Sequence, residues 1–165
     1  AGGGSGGLAL EFSKLLPNID IHVLELPLVA KIAARNIERR GKSGDIAVLQ
    51  GDLAKKKCAT NTYDAVILRS VIQVVGPKAA ARIIKNTVNG VKAGGEIFVI
   101  GRILDNTRLY PKEAVAANVM FLNVYKEGMA YTIGEYESWF EVEGVVLKTQ
   151  CQMAGGFTLL QFVKN

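Results

Sequence analysis

Hydrophobic and polar positions follow two different periods along the chain. Short apolar runs at 19–26, 45–50, 63–68 and 96–100 predict buried strands. Between these runs, apolar residues recur every three or four positions, which predicts helices. The predicted helices cover 8–16, 27–40, 77–88, 114–125 and 133–143. Strands that alternate with helices in this way favour an α/β fold with a parallel sheet.

Two further strands are predicted at the end of the chain, at 145–152 and 157–163. The link between them is so short that the two strands must run antiparallel. We therefore expect a Rossmann-like α/β fold, with a mostly parallel sheet, helices on both faces and a C-terminal antiparallel pair. The length fits one domain over 1–165. A glycine-rich opening normally follows a buried strand, so we expect the first strand to lie upstream of residue 1 or to be absent from this chain.

Composition narrows the possible functions. The 165 residues carry a net charge of +5 and include two cysteines and one histidine. The cysteines match no metal-ligand spacing, so we expect no metal site and reduced thiols in a cytoplasmic protein. The only basic run is Lys55-Lys56-Lys57, which is too short for a nucleic-acid patch. No apolar run is long enough for a membrane span, so we expect neither nucleic acid nor membrane as a partner.

The opening loop and two acidic residues carry the candidate chemistry. Gly2, Gly4 and Gly7 fit the G-x-G-x-x-G pattern, in which glycines allow a ligand to approach the backbone. Glu25 ends a strand about 20 residues later, where an acid can accept hydrogen bonds from ribose hydroxyls. Asp52 follows the next strand and can accept from the amine of adenine. Glu25 suits nicotinamide enzymes and methyltransferases alike, whereas a Gly-Asp pair at 51–52 favours a methyltransferase.

With these motifs the chain resembles the class I S-adenosylmethionine-dependent small-molecule O-methyltransferases, which include the caffeate, acetylserotonin and hydroxyneurosporene enzymes. The resemblance covers the whole chain and rests on the segments 2–6, 23–27, 51–53, 93–96 and 131–136. It implies S-adenosyl-L-methionine as cofactor and a small-molecule acceptor. It also implies an additional N-terminal dimerisation domain, absent here, and a homodimer in the full-length protein.

The resemblance also assigns roles to single residues. Gly2 and Gly4 would line the methionine moiety of the cofactor. Glu25 would hold the ribose, with Leu26 beside it. Asp52 and Leu53 would frame the adenine. The remaining cofactor residue would be Arg69, which stands where the family often has a lysine or arginine.

One departure from the family concerns the general base. The family uses a histidine after the fourth strand, but Gln73 occupies that position here, and an amide cannot take up a proton. Two flanking acids of the family are replaced by Gly101 and Ala130. The favoured acceptor is an aromatic hydroxyl, and three explanations remain open. The acceptor arrives ionised, the acceptor atom is carbon, sulfur or nitrogen, or the chain binds the cofactor without methylating.

Contacts with the acceptor are expected from two regions. Gln73 and Tyr131 can orient a substrate by hydrogen bonds. Met120 and Asn123 lie on the predicted helix at 114–125, which lines the acceptor pocket in the family.

Two other enzyme classes share parts of this pattern. A nicotinamide-dependent oxidoreductase could use the same loop, but it needs a Tyr/Lys or His/Asp pair beyond the fourth strand, and no convincing pair is present. A nucleic-acid amino-methyltransferase carries an Asn/Asp-Pro-Pro-aromatic motif after that strand. The corresponding residues 68–71 read Leu-Arg-Ser-Val.

Overall fold

The computed structural model describes all 165 residues. The chain divides into two compact units, Ala1–Asp52 and Leu53–Asn165. None of the helices combines the length and the apolar character that crossing a membrane requires.

The first unit contains two helices and two strands. Its elements are α1 (Gly7–Leu15), β1 (Ile21–Glu25), α2 (Pro27–Arg39) and β2 (Ile46–Gln50). The strands pair in parallel, from Ile21 opposite Ile46 to Glu25 opposite Gln50. The carboxyl ends of β1 and β2 therefore meet at one edge. Helices and strands enclose a small apolar core of Ala9, Leu10, Val23, Ala33, Ile37 and Ile46.

The second unit holds a four-stranded sheet in the order β3-β4-β6-β5. Its elements are β3 (Tyr63–Arg69), α3 (Pro77–Gly90), β4 (Val91–Gly101), α4 (Lys112–Val124), α5 (Ile133–Glu141), β5 (Val145–Met153) and β6 (Phe157–Lys164). Strands β3 and β4 are parallel, whereas β6 is antiparallel to both β4 and β5. The predicted α/β class and the antiparallel C-terminal pair are confirmed.

The structure differs from the predicted elements in three places. The strands form two sheets, because no strand of the chain pairs with both β1 and β3. The turn predicted at 93–95 lies inside β4, where Gly94 has a φ of 73°. Pairing with β3 shifts there from Tyr63–Val91 to Ala65–Glu96. Finally, two short 3₁₀ turns, at Ile72–Val74 and Ala154–Gly156, were not predicted.

Strand β5 forms one edge of the four-stranded sheet and is mostly exposed. Its pairing with β6 passes from Leu147–Phe162 to Thr149–Gln161, so Lys148 is an extra residue on β5. The Lys148 ammonium donates to the Glu96 carboxylate at 2.9 Å. An inserted residue of this kind is a β-bulge, which bends the strand and increases its twist.

A capping box fixes the start of α5. The Thr132 hydroxyl accepts a hydrogen bond from the Glu135 N–H at 3.2 Å. In return, the Glu135 carboxylate accepts from the Thr132 N–H at 2.7 Å. These two reciprocal bonds satisfy backbone donors that the first helical turn leaves free.

Candidate functional site

The glycine-rich loop lies against the end of β1. The Gly2 N–H donates to the Leu24 carbonyl at 2.8 Å, and the Gly4 N–H donates to Oε1 of Glu25 at 3.1 Å. Gly4 has a φ of 57°, which L side chains rarely adopt. No heavy atom lies within 4 Å of the position that a Cβ on Gly4 would take. The backbone at Gly4 is therefore open to a ligand.

Behind the loop, Gly3 packs directly on the core. A Cβ at position 3 would lie 2.7 Å from Cγ1 of Val23. Val23 is only 3% exposed and belongs to the apolar core of the first unit. Glycine at this position therefore lets the loop approach β1 closely.

Glu25 joins the loop to the next helix. Its Oε1 accepts from Gly4, and its Oε2 accepts from the Leu26 N–H at 2.7 Å. Each oxygen of a carboxylate has two acceptor sites, so both oxygens keep one for a ligand. Glu25 is half-buried and Leu26 is about half exposed. The structure thus brings Gly4, Glu25 and Leu26 together, as the proposed site requires.

The end of β2 meets the same edge. The Gly51 N–H donates to the Glu25 carbonyl at 2.8 Å. A Cβ on Gly51 would lie 3.0 Å from Cδ1 of Leu24, so this position is closely packed. Asp52 follows directly and is half-buried. Two acidic residues therefore close two neighbouring parallel strands at one edge.

The other two cofactor candidates belong to the second unit. Leu53 is 7% exposed, and its carbonyl accepts from the Asn86 amide at 2.6 Å. Arg69 ends β3 and is exposed. Its guanidinium carbon lies 5.9 Å from the centre of the Phe157 ring.

Gln73 and Gly101 pack against each other in the second unit. Gln73 lies on the 3₁₀ turn after β3, and Gly101 ends β4. The Arg102 N–H donates to Oε1 of Gln73 at 3.3 Å. A Cβ on residue 101 would lie 2.7 Å from the same oxygen. The amide of Gln73 therefore occupies space that any larger residue at 101 would need.

The turn that carries Gln73 is fixed from a second direction. The Tyr131 hydroxyl donates to the Val75 carbonyl at 2.5 Å, and a Cβ on Gly128 would lie 2.9 Å from the Gln73 carbonyl. Tyr131 has no exposed surface. Burial, reinforced by Glu135 and Glu127, raises the pKa of Tyr131 to about 12. In this structure Tyr131 supports the turn, and its hydroxyl stays protonated near neutral pH.

Helix α4 carries the other two acceptor candidates on its surface. Met120 is 51% exposed, and the Asn123 amide donates to the Val119 carbonyl at 2.6 Å in an exposed position. Ala130, which replaces a family acid, is fully buried, and its N–H donates to Oδ1 of Asn118 at 2.7 Å. Met120 and Asn123 are thus exposed on the helix, while Ala130 belongs to the packing beneath it.

The sequence reasoning overlooked Arg102 and Phe157. The Arg102 guanidinium carbon lies 4.3 Å from the centre of the Phe157 ring, within the range of a cation–π contact. Its Nη1 also donates to the Gly155 carbonyl. The available signal was position, because Arg102 directly follows β4 just as Glu25 ends β1. Ligand-binding residues concentrate after the carboxyl ends of strands.

No cluster of three or more His, Cys, Asp or Glu side chains is arranged to hold a metal ion. The first unit does fit part of an adenosine-bearing cofactor. The backbone at Gly4 is open, and Glu25 keeps free acceptor sites at the end of β1.

Comparison with known proteins identifies the family. The family model described as O-methyltransferase domain matches residues 1–145. The chain belongs to this O-methyltransferase domain family. The family membership expected from the sequence is therefore confirmed, and nothing supports the oxidoreductase alternative.

Individual members of the family are distant. The 3-hydroxy-5-methyl-1-naphthoate 3-O-methyltransferase of Streptomyces sahachiroi is 24% identical over 143 residues, which are 87% of this chain and 41% of that protein. Among solved structures, PigF with SAH has a TM-score of 0.88 at 22% identity, with 99% of this chain and 49% of that chain covered.

A second solved structure gives the same result. The O-methyltransferase family 2 protein of Planctomyces limnophilus, in complex with apigenin, has a TM-score of 0.87 at 21% identity, with 99% of this chain and 49% of that chain covered. These likenesses establish the fold. The chain spans roughly two fifths to one half of the length of the proteins that it matches.

Proposed function

We propose that this chain is the cofactor-binding catalytic domain of an S-adenosyl-L-methionine-dependent methyltransferase that methylates a hydroxyl of a small aromatic molecule. Membership of the O-methyltransferase domain family supports the reaction class. The cofactor assignment rests on one observation. The Glu25 carboxylate at the end of β1 accepts a hydrogen bond from Gly4, where the backbone is open to a ligand. Relatives that act on a naphthoate or bind apigenin support an aromatic acceptor.

The residues of the first unit would bind and orient the cofactor, which supplies an electrophilic methyl group when bound. Gly2 and Gly4 would lie beside its methionine moiety, where a side chain would collide with it. The Glu25 carboxylate would accept hydrogen bonds from the ribose hydroxyls, because both its oxygens keep an acceptor site. Asp52 would accept from the adenine amine.

Leu53 and Arg69, in the second unit, stay predictions for contacts with the cofactor. Gln73 would act on the acceptor without serving as a base, because an amide does not take up a proton near neutral pH. Alignment of the reactants alone can lower a barrier by about 7–11 kcal/mol. Met120 and Asn123 would contact the acceptor from the exposed side of α4, and Tyr131 would hold the Gln73 turn.

Calorimetric titration tests the cofactor assignment. We expect S-adenosylhomocysteine to bind and NAD not to bind. Glu25→Ala should weaken S-adenosylhomocysteine binding by about 1.5–3 kcal/mol, the scale of hydrogen bonds to a charged group. Glu38→Ala is the matched control, because it removes an exposed carboxylate from α2. Binding of NAD alone, or equal affinity in both variants, would refute the assignment.

We also propose that the full-length protein is a cytoplasmic homodimer that does not bind nucleic acid. Support for self-association comes from α4, where Val119, Met120, Leu122 and Val124 are each more than half exposed. Large apolar side chains that a helix leaves exposed are a feature of interaction surfaces. Light scattering after size-exclusion chromatography should give twice the monomer mass for the full-length protein, and a purely monomeric profile would contradict the proposal.

A further inference from the structure

The amide of Gln73 has a defined orientation. The Arg102 N–H can only donate, so the amide oxygen must face it and the amide nitrogen must point the other way. That nitrogen makes no hydrogen bond in the structure. Thr87 Oγ1 is the one fully buried polar side-chain atom without a partner, so the Gln73 nitrogen keeps some access to solvent. Gln73 thus presents a free N–H donor.

Two arginines lie at the same edge of the sheet as Gln73, because Arg69 ends β3 and Arg102 follows β4. Arg69 and Arg102 both lie against the Phe157 ring, at 5.9 Å and 4.3 Å, and neither has a carboxylate partner within 4 Å. Two acids lie in the same region. A Cβ on Gly156 would lie 2.4 Å from Cβ of Glu113 and 2.6 Å from Nη1 of Arg102, and a Cβ on Gly76 would lie 2.8 Å from Oε2 of Glu127.

The pairing of Gln73 with Gly101 keeps a carboxylate away from the amide. A carboxylate at position 101 would repel an anion held at the Gln73 amide. Glycine removes that charge and also leaves the space that the amide occupies. Both members of the pair are uncharged, so the turn offers a donor to an anion and no proton acceptor to a neutral hydroxyl.

We propose that the acceptor is an acidic phenol that binds as its phenolate, with the oxygen held by the Gln73 amide nitrogen and with Arg69 and Arg102 at the same edge of the sheet. This deepens the proposed function and rests on it. The phenolate oxygen forms a bond to the methyl carbon of S-adenosylmethionine while the carbon–sulfur bond breaks and its electron pair stays on sulfur. No proton leaves during the transfer, so no general base is required.

The first test measures ionisation of a bound phenol without methyl transfer. Only the ionised form of 4-nitrophenol absorbs strongly in the visible, so its pKa can be read while it is bound to protein saturated with S-adenosylhomocysteine. We expect binding to lower that pKa by about one unit, which corresponds to one hydrogen bond to a charged group. An unchanged or raised pKa, or no binding of 4-nitrophenol, would overturn the proposal.

Variants assign the effect to the named residues. Gln73→Glu replaces the donor with a carboxylate of the same shape and should raise the bound pKa above that of free 4-nitrophenol. Gln150→Glu adds the same charge to exposed β5 and should leave the shift intact. Arg69→Gln removes a cation that contacts the ring of Phe157, and it should reduce the shift in the pKa of bound 4-nitrophenol. Equal shifts in Gln73→Glu and wild type would overturn the role of Gln73, even if Arg69→Gln behaves as expected.

The second test compares acceptors of different acidity. For wild-type protein, kcat/KM should rise with pH through the pKa of each phenol used, so the inflection should move with the substrate. A single inflection shared by all phenols would reveal a base in the protein, with Glu127 the first candidate, and would overturn the proposal. Failure of the proposed function is recognised separately, as absence of S-adenosylhomocysteine binding in calorimetry.

Discussion

The contact between Gly3 and Val23 allows a quantitative test of how the glycine loop is held. Gly3→Ala would place a Cβ 2.7 Å from Cγ1 of Val23, whereas carbon atoms pack best at about 3.5–4.0 Å. The loop cannot retreat freely, because the Gly2 N–H donates to the Leu24 carbonyl at 2.8 Å. Overpacking of this kind costs about 1–3 kcal/mol, so Gly3→Ala should lower the free energy of unfolding by that amount.

Val23→Ala supplies the second half of a double-mutant cycle. Val23 is 3% exposed, and losing its two methyl groups should cost about 1.5–3 kcal/mol by itself. In the double variant the clash disappears, because the Cβ of residue 23 would lie 3.7 Å from the new Cβ, an ordinary contact. The double variant should therefore lose about 1–3 kcal/mol less unfolding free energy than the sum of the losses in the two single variants.

Urea unfolding followed by circular dichroism measures these free energies, and amide hydrogen exchange over residues 1–52 localises them to the first unit. Gly7→Ala is the matched control, because no heavy atom lies within 4 Å of its Cβ position in the first turn of α1. It should be neutral or stabilising by about 0.4–1 kcal/mol. If the losses for Gly3→Ala and Val23→Ala add to within about 0.5 kcal/mol, the two residues are not coupled and the close-packing argument is refuted.

Three further predictions concern the second unit. Thr87→Val should stabilise the protein by about 1 kcal/mol in urea unfolding, because it removes a buried hydroxyl that has no hydrogen-bond partner. Thr158→Val should destabilise it, because that hydroxyl bonds the Gln152 amide at 3.1 Å, and the opposite order of the two variants would contradict this reasoning. Thr132→Ala breaks the capping box and should lower the free energy of unfolding by about 1 kcal/mol. The amide protons in the first turn of α5 should then exchange faster. Because burial raises the pKa of Tyr131 from 10.0 to about 12, the unfolded chain ionises first, so the stability that Tyr131 contributes should be fully present below pH 10.0 and be lost as pH rises toward 12. Burial raises the pKa of Tyr136 as well, so Tyr131→Phe should reduce the alkaline loss of stability without abolishing it, and an unchanged profile would assign that loss to Tyr136.

Local sequence rules were sufficient to predict elements whose ends are marked by proline or by a short link. Pro27 and Pro77 mark the starts of two helices, and both are observed there. The link at 153–156 is so short that it forces β5 and β6 to be antiparallel, which the structure shows. Glu25 could be predicted to lie at the glycine loop, because that loop and the carboxyl end of β1 are expected at the same edge of a parallel sheet.

Long-range packing was not visible in the sequence. Gly94 was predicted to lie in a turn because glycine adopts turn conformations readily, but pairing with β3 on both sides of it, at Val91 and Glu96, keeps it within β4. Tyr131 looked available to a substrate, yet tertiary contacts bury it and commit its hydroxyl to Val75. The dependence of Gln73 on Gly101 could not be read from either residue alone, since 28 positions separate them and only the sheet brings them together.

The extra residue on β5 has a consequence for behaviour at high concentration. An exposed edge strand offers unpaired backbone groups to a neighbouring molecule, and a long, flat edge promotes fibre growth. Lys148 interrupts the two-residue repeat of β5, and its ammonium donates a hydrogen bond to Glu96 on β4. Deleting Lys148 would restore an uninterrupted repeat along the strand and remove a cation from its middle. We therefore expect the bulge to oppose intermolecular strand addition, and deletion of Lys148 to increase aggregation at high protein concentration.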